Sequence, residues 1–233
     1  MRVLMGLDRH DHRESLTNQD LAELYKAPTT PWLRVNMVST VDGSATGGSG
    51  LTGSINNAAD KRVFDTLRRL ADAIVVGAGT ARAEGYRPTD RPIVLVSRRG
   101  DVPERLRGAE PGAVLMATTS HAERLDEARS VLGNDNVLVL GSHRVDLVEL
   151  KRRLVQRGWN HLLSEGGPHL LHDLVAQGVA DELDATFVPQ LVSGQHPRIT
   201  DGPELDVPLD LRLLLEADGT LIGRWLVGTA TDR

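Results

Sequence analysis

Short apolar runs alternate with amphipathic stretches through most of the chain. Ala73-Ile74-Val75-Val76 is wholly apolar, as a strand buried on both faces of a sheet is. Residues 92–96, 113–117, 136–140 and 161–164 repeat this style, and 33–38 form an earlier run. Between them, residues 57–70, 122–131, 145–156 and 168–176 carry helical spacing; in 57–70, Val63, Phe64, Leu67 and Leu70 share one face. Alternation of this kind predicts a mostly parallel sheet covered by helices. The end of the chain differs. Residues 182–188, 211–217 and 220–227 read as strands with little helix between them, and Asp218-Gly219 fits a tight hairpin turn. The expected fold class is therefore α/β: three layers, α/β/α, around a mostly parallel central sheet that ends in an antiparallel hairpin. Residues 1–30 read as an N-terminal arm. A short helix over 16–25 is expected there, capped by Thr17 or Asn18 and stopped by Pro28 and Pro31. Residues 31–233 form the main domain.

Composition narrows the function classes. Aromatic residues make up only 3% of the 233 positions, so Val, Leu, Ile and Ala must fill the core. A net charge of −5 gives no electrostatic footprint for nucleic acid. The basic clusters at 68–69, 98–99 and 151–153 are short and interleaved with acids. The chain has no cysteine, which excludes disulfides, thiolate nucleophiles and cysteine-ligated zinc. No apolar run approaches the ~18 residues of a membrane span. Acids and histidines stand where a signal peptide needs an apolar stretch. A cytoplasmic protein with a small-molecule partner is expected, without nucleic acid or membrane.

Glycine-bearing turns adjoin the apolar runs at 47–50, at Gly77-Ala78-Gly79-Thr80 and at Gly166-Gly167. A glycine at a helix N-terminus lets a phosphate approach bare amides, and open α/β sheets bind ligands where such turns cluster. Each glycine equally suits a plain turn, and composition leaves both readings open. The common nucleotide fingerprints do not fit. G-x-G-x-x-G would need glycine where Arg82 stands, and there is no G-x-x-x-x-G-K-[ST]. No G-x-S-x-G marks a hydrolase. His169 and His172 lack a third ligand at motif spacing, so no metal site is expected; His10 and His12 fall in the arm.

Read in order, six segments resemble one family. They are VNMVSTVDGSAT (35–46), SGLTG (49–53), DKRVFDTLRRLADAIVVGAGTARAEGYRP (60–88), IVLVSRRG (93–100), LLSEGGPHLLHDLV (162–175) and VADELDATFVPQLVSG (179–194). The chain is similar to the pyrimidine reductases of riboflavin biosynthesis, whose fold is like dihydrofolate reductase. The resemblance implies NADPH as hydride donor and a homodimer. It implies a diaminopyrimidinone substrate whose ribosylamino 5-phosphate chain opens to an imine-like form and is reduced at C1 to a ribityl chain.

Position by position, the resemblance assigns Gly79, Thr80, Glu84, Ser97, Gly166, Gly167, Pro168, His169, Leu170 and Leu171 to the cofactor, with Leu51 and Thr52 beside the nicotinamide. Arg98 suits the 2′-phosphate, since guanidinium matches phosphate geometry. Asn36, Arg68, Arg87 and Glu165 fall on the substrate side, with Glu165 and Asp42 as the catalytic candidates. Asp42 carries two readings: an acid near the reacting carbon, or a turn residue capping backbone amides. Without cysteines, the chain lacks the zinc deaminase domain of the two-domain bacterial enzymes. Asn36 stands where those enzymes carry lysine and stand-alone archaeal reductases carry asparagine. A pteridine reductase like dihydrofolate reductase, or a non-catalytic NADP-binding protein of the same fold, are the competing functions.

Overall fold

A computed structural model of the chain describes residues 1–6 and 13–228. His10 and His12 lie outside the described residues. In chain order the elements are β1 (Arg2–Met5), α1 (Asn18–Leu24), β2 (Trp32–Thr40), α2 (Ala58–Leu70), β3 (Ala73–Gly77), α3 (Ala78–Ala83), β4 (Ile93–Val96), β5 (Val114–Thr118), α4 (Leu125–Leu132) and β6 (Val137–Val139). They continue with α5 (Leu147–Gln156), β7 (His161–Ser164), α6 (Pro168–Ala176), β8 (Glu182–Val188), β9 (Leu209–Ala217) and β10 (Thr220–Val227). The ten strands form one sheet in the order β1-β9-β10-β8-β2-β7-β3-β4-β5-β6. From β8 to β6 the strands run parallel; β10, β9 and β1 add an antiparallel edge.

The sheet is buried on both faces, which explains the unbroken apolar runs. On one face α5 and α6 pack Leu150, Leu154, Leu171 and Leu174 against Leu33, Val75, Val94 and Leu162. On the other, α1 and α2 bring Leu21, Leu24 and Leu67 onto Leu163 and Leu213. Farther along that face, Ala128 of α4 joins Val76, Leu95 and Met116. Local signals set the element ends. Asn57 caps α2 by accepting from the Ala59 and Asp60 amides. Thr17 and Asp20 form a reciprocal capping box on α1. Asp218 and Gly219 both adopt positive φ, +51° and +78°, as a two-residue hairpin turn with right-handed strand twist requires.

The described part of the first 30 residues is built into the sheet and core. β1 was not evident in the sequence because four residues are too few to show a period; it pairs antiparallel with β9. Tyr25, at the end of α1, is fully buried. Arg224 of β10 donates to the Leu24 carbonyl at 2.6 Å, and Arg34 of β2 to the Tyr25 carbonyl at 2.7 Å, satisfying carbonyls that the helix end leaves open. Both arginines face Glu182 of β8, at 2.8 Å from Arg224 and 3.5 Å from Arg34. Helix α4 starts at Leu125 rather than near 122, because residues 122–124 make a turn that hydrogen-bonds back to Thr119. No helix among the described residues is long and apolar enough to cross a membrane.

Candidate active site

Strand β7 lies between β2 and β3, and the chain leaving it crosses to β8 on the far side of β2. Connections therefore diverge at the C-terminal ends of β7 and β3, which opens a crevice there. The turn after β7 is Glu165-Gly166-Gly167, and its neighbour is Gly77, whose amide donates to the Gly166 carbonyl at 2.8 Å. Gly166 has φ +75° and presses on Met37: an added Cβ would stand 2.6 Å from the Met37 sulfur. A Cβ on Gly167 would stand 2.3 Å from Thr80 Oγ1. Close packing thus restricts both glycines, and the positive φ adds a turn requirement at Gly166 alone.

Two cavities, of about 460 Å³ and 580 Å³, open on this crevice. Thr80, Gly167 and Pro168 line both, so these residues form the wall where the cavities meet.

The first cavity is walled by Asn36 of β2, by Asp60, Phe64 and Arg68 of α2, by Glu84 and Tyr86 after α3, and by Thr52 and Glu165. Helical spacing places Asp60, Phe64 and Arg68 on one side of α2. Arg68 donates from Nε to Glu165 Oε1 at 2.6 Å and from Nη2 to Oε2 at 2.7 Å; Tyr86 donates to Oε2 at 2.5 Å. The Arg68 guanidinium also lies 4.4 Å from the centre of the Phe64 ring. Burial opposes the Arg68 charge, but the Glu165 bonds and their attraction outweigh it and raise the guanidinium further. Burial, with the Glu165 charge beside it, pushes the Tyr86 hydroxyl well up. Glu84 accepts from the Thr52 amide at 2.9 Å and so pins the 50–55 loop to the rim.

The second cavity is lined by Gly77, Gly79, Ser97, Arg98, His169 and Leu170, among others. No side chain caps α6; its N-cap is Gly167 and its first residue Pro168. Leu171 is the first to turn its amide inward, to the Gly167 carbonyl at 2.9 Å. The amides before it are free of helix bonds and carry the positive end of the helix dipole. Ser97 accepts from the Asp101 amide at 3.1 Å and fixes the turn that carries the exposed Arg98. An elongated anion fits this bare, glycine-lined cradle, and a dinucleotide would reach from it past Thr80 into the first cavity.

The structure thus gathers Asn36, Thr52, Gly79, Thr80, Glu84, Ser97, Arg98, Arg68, Glu165, Gly167, Pro168, His169 and Leu170 around the two cavities. Five of the expected site residues, Asp42, Arg87, Leu51, Gly166 and Leu171, line neither cavity. Asp42 lines neither cavity: it accepts from the Thr40 hydroxyl and from the Ser193 amide at 2.7 Å, so it braces the 190–193 loop. Those bonds, from Thr40 first, hold its carboxyl below the usual range. Arg87 is exposed and lines neither cavity, since the chain turns away after Tyr86. Leu51 is exposed and lines a smaller cavity beside Arg105, its carbonyl accepting from Ser54. Leu171 lies in the core with its amide already used. The Glu165 oxygens, expected to meet a pyrimidine amine, are engaged by Arg68 and Tyr86. Asp60, Phe64 and Tyr86 escaped the sequence reading. Phe64 counted as core by its period, and only i, i+4 spacing from Asp60 to Arg68 hinted at the site. Among the described residues no cluster of acids and histidines suits a metal.

The family model of the RibD C-terminal domain matches residues 31–221. A protein of Methanothermobacter thermautotrophicus named 2,5-diamino-6-ribosylamino-4(3H)-pyrimidinone 5′-phosphate reductase is 32% identical over 209 residues, covering 82% of this chain and 94% of the relative. Its namesake in Archaeoglobus fulgidus is 30% identical over 190 residues, covering 74% of this chain and 87% of the relative. The crystal structure of a pyrimidine reductase-like protein from Corynebacterium diphtheriae superposes with a TM-score of 0.75 at 23% identity, covering 92% of this chain and all of the other. That likeness shows the fold.

Proposed function

The chain belongs to the RibD C-terminal domain family, and from that premise we propose that it reduces a ribosylaminopyrimidine 5-phosphate, the activity named for its archaeal relatives. The reducing equivalent is a hydride from NADPH. The observation that carries this reading is the pair of cavities joined at Thr80, Gly167 and Pro168. One offers a bare amide cradle for a pyrophosphate and the other a mostly apolar, half-enclosed chamber, with a few polar groups, for a ring and its sugar chain.

In this reading the free amides at the start of α6, with Gly79 and Thr80, hold the pyrophosphate. Arg98 meets the 2′-phosphate, which selects NADPH over NADH. Asn36, in reach of the chamber, orients the pyrimidine. Glu165 fixes Arg68, with Tyr86 bracing the carboxylate, so that the remaining Arg68 N–H groups face the substrate in one geometry. When bound, the cofactor supplies hydride to C1 of the opened sugar; the protein binds, orients and protonates. We further infer a homodimer in the cytoplasm. Exposed Val41 and Leu191, at 66% and 76%, give a second copy apolar surface to cover, and sedimentation would test that. In this reading the described part of residues 1–30 serves the reductase domain of 31–233 as an arm, with β1 paired to its antiparallel edge.

The test is a comparison of NADPH oxidation by purified protein with the diaminopyrimidinone 5′-phosphate and with dihydrofolate. Turnover of the pyrimidine alone is expected. Turnover of dihydrofolate alone, or of neither, overturns the reading.

A further inference from the structure

We propose that Asp60 is the proton donor of this reduction, acting on the nitrogen of the C–N bond that is reduced; the inference rests on the reductase reading above. Asp60 occupies the first turn of α2, with its amide bonded to the Asn57 cap at 3.1 Å. An acid in that position ordinarily faces water and gains from the helix dipole. Asp60 instead is only 3% exposed, lines the first cavity, and leaves Oδ1 with no hydrogen-bond partner. A buried carboxylate without a cation is costly, and carrying a proton removes that cost. Burial accordingly pushes its carboxyl up, and the Thr186 hydroxyl beside it offsets only part of the rise.

The charged and titratable groups on the surrounding elements are committed elsewhere. On α2, Lys61 pairs with Asp65 at 2.8 Å and Arg68 with Glu165 at 2.6 Å. Arg224 of β10 pairs with Glu182, and Asp20 of α1 with Arg13. Asp184 of β8 is itself a buried acid pushed up by burial. Around the cavity, Tyr86 already donates its proton to Glu165, and Glu84 accepts from Thr52. Asp60 alone among the acids lining the cavity has neither a cation nor an amide on its carboxyl.

The step balances simply. Hydride from the reduced nicotinamide dinucleotide forms the new C1–H bond. The π pair of the C–N double bond moves to nitrogen and takes the Asp60 proton. The O–H pair stays on Asp60 as carboxylate, and water returns a proton after the secondary amine leaves.

Asp60→Asn keeps the shape and removes the acid. Its single-turnover hydride-transfer rate should fall at least about a hundredfold, the range of general acid catalysis. KM for the pyrimidine should stay within about threefold, because binding is not what is lost. The wild-type rate should decline as pH rises through the raised carboxyl value, and this limb should vanish in the variant. Infrared spectra of the cofactor-free wild type, titrated with pH, should show a protonated carboxyl band, absent from Asp60→Asn, that disappears over the same pH range as the alkaline limb. If Asp60→Asn does not fold, Asp60→Glu, which keeps the acid, should retain the alkaline limb at a reduced rate. A variant as fast as wild type, a raised KM with intact kcat, a missing infrared band, or an Asp60→Glu enzyme without the alkaline limb overturns the proposal. A wild type inactive toward the pyrimidine defeats the reductase reading, and Asp60 with it. An active wild type matched by its variant defeats Asp60 alone.

Discussion

Arg68 on α2 and Glu165 at the end of β7 stand 97 residues apart in the chain and meet in a two-bonded ion pair, at 2.6 Å and 2.7 Å. Glu165 is almost wholly buried, whereas the Arg68 side chain keeps 29% exposure toward the cavity. The pair therefore joins the turn after β7 to the substrate side of the chamber. Bidentate pairing gives orientation that a lysine cannot supply.

Arg68→Lys should lower kcat/KM for the pyrimidine substrate at least about tenfold, equal to about 1.4 kcal/mol of transition-state binding. Glu165→Gln should do the same, and the double variant should lose less than the sum, since the two act as one unit. Steady-state kinetics on the four proteins checks this; strict additivity would show that they act separately.

Gly167→Ala places a methyl group against Thr80 Oγ1, at 2.3 Å before relaxation. The turn and Thr80 must move apart, so the NADPH dissociation constant should rise at least about tenfold. Nicotinamide fluorescence titration reads it, and an unchanged constant in a folded variant argues against a pyrophosphate there.

Arg98 is exposed at the rim of the second cavity. Arg98→Ala should weaken NADPH much more than NADH, by about 1.5–3 kcal/mol for the lost charged bonds. Equal losses for both cofactors would remove its assigned role.

Asp42 braces a loop from outside both cavities. Asp42→Asn should therefore lower the melting temperature while leaving the single-turnover hydride-transfer rate within about threefold. A collapse of that rate in a folded variant would restore the sequence-based assignment.

Asp184 lies under α1 and α2, facing Tyr25, Arg34, Glu182 and Arg224. Burial pushes its carboxyl well up, Glu182 adds to this, and the two arginines oppose it. The folded state then holds the proton more tightly than the unfolded chain, whose value is about 3.9. Its stabilising contribution is full below that pH and is lost as pH rises through the folded-state value. Asp184→Asn should lose less stability than wild type between acid and alkaline pH. Parallel melting-temperature curves for the two proteins would refute this.

Much of this molecule was legible in local pattern. β7, α6, β8 and β10 fall where apolar period and turn chemistry place them, and Asp218-Gly219 makes the expected hairpin. These features depend on neighbours a few residues away, so the sequence states them directly. The glycine pair at 166–167 was likewise visible, but not its second reason, the contacts with Met37 and Thr80. What the sequence left open depends on strand order. The insertion of β7 between β2 and β3 brings Glu165 to Arg68 and Tyr86, the pairing of β2 with β8 turns Asp42 toward Ser193, and α2 over β8 leaves Asp60 buried beside Thr186. Residue type and spacing determined which groups were able to do chemistry. Burial and distance, set by contacts across the whole sheet, decided which of them face the same cavity and which carboxylates keep a proton.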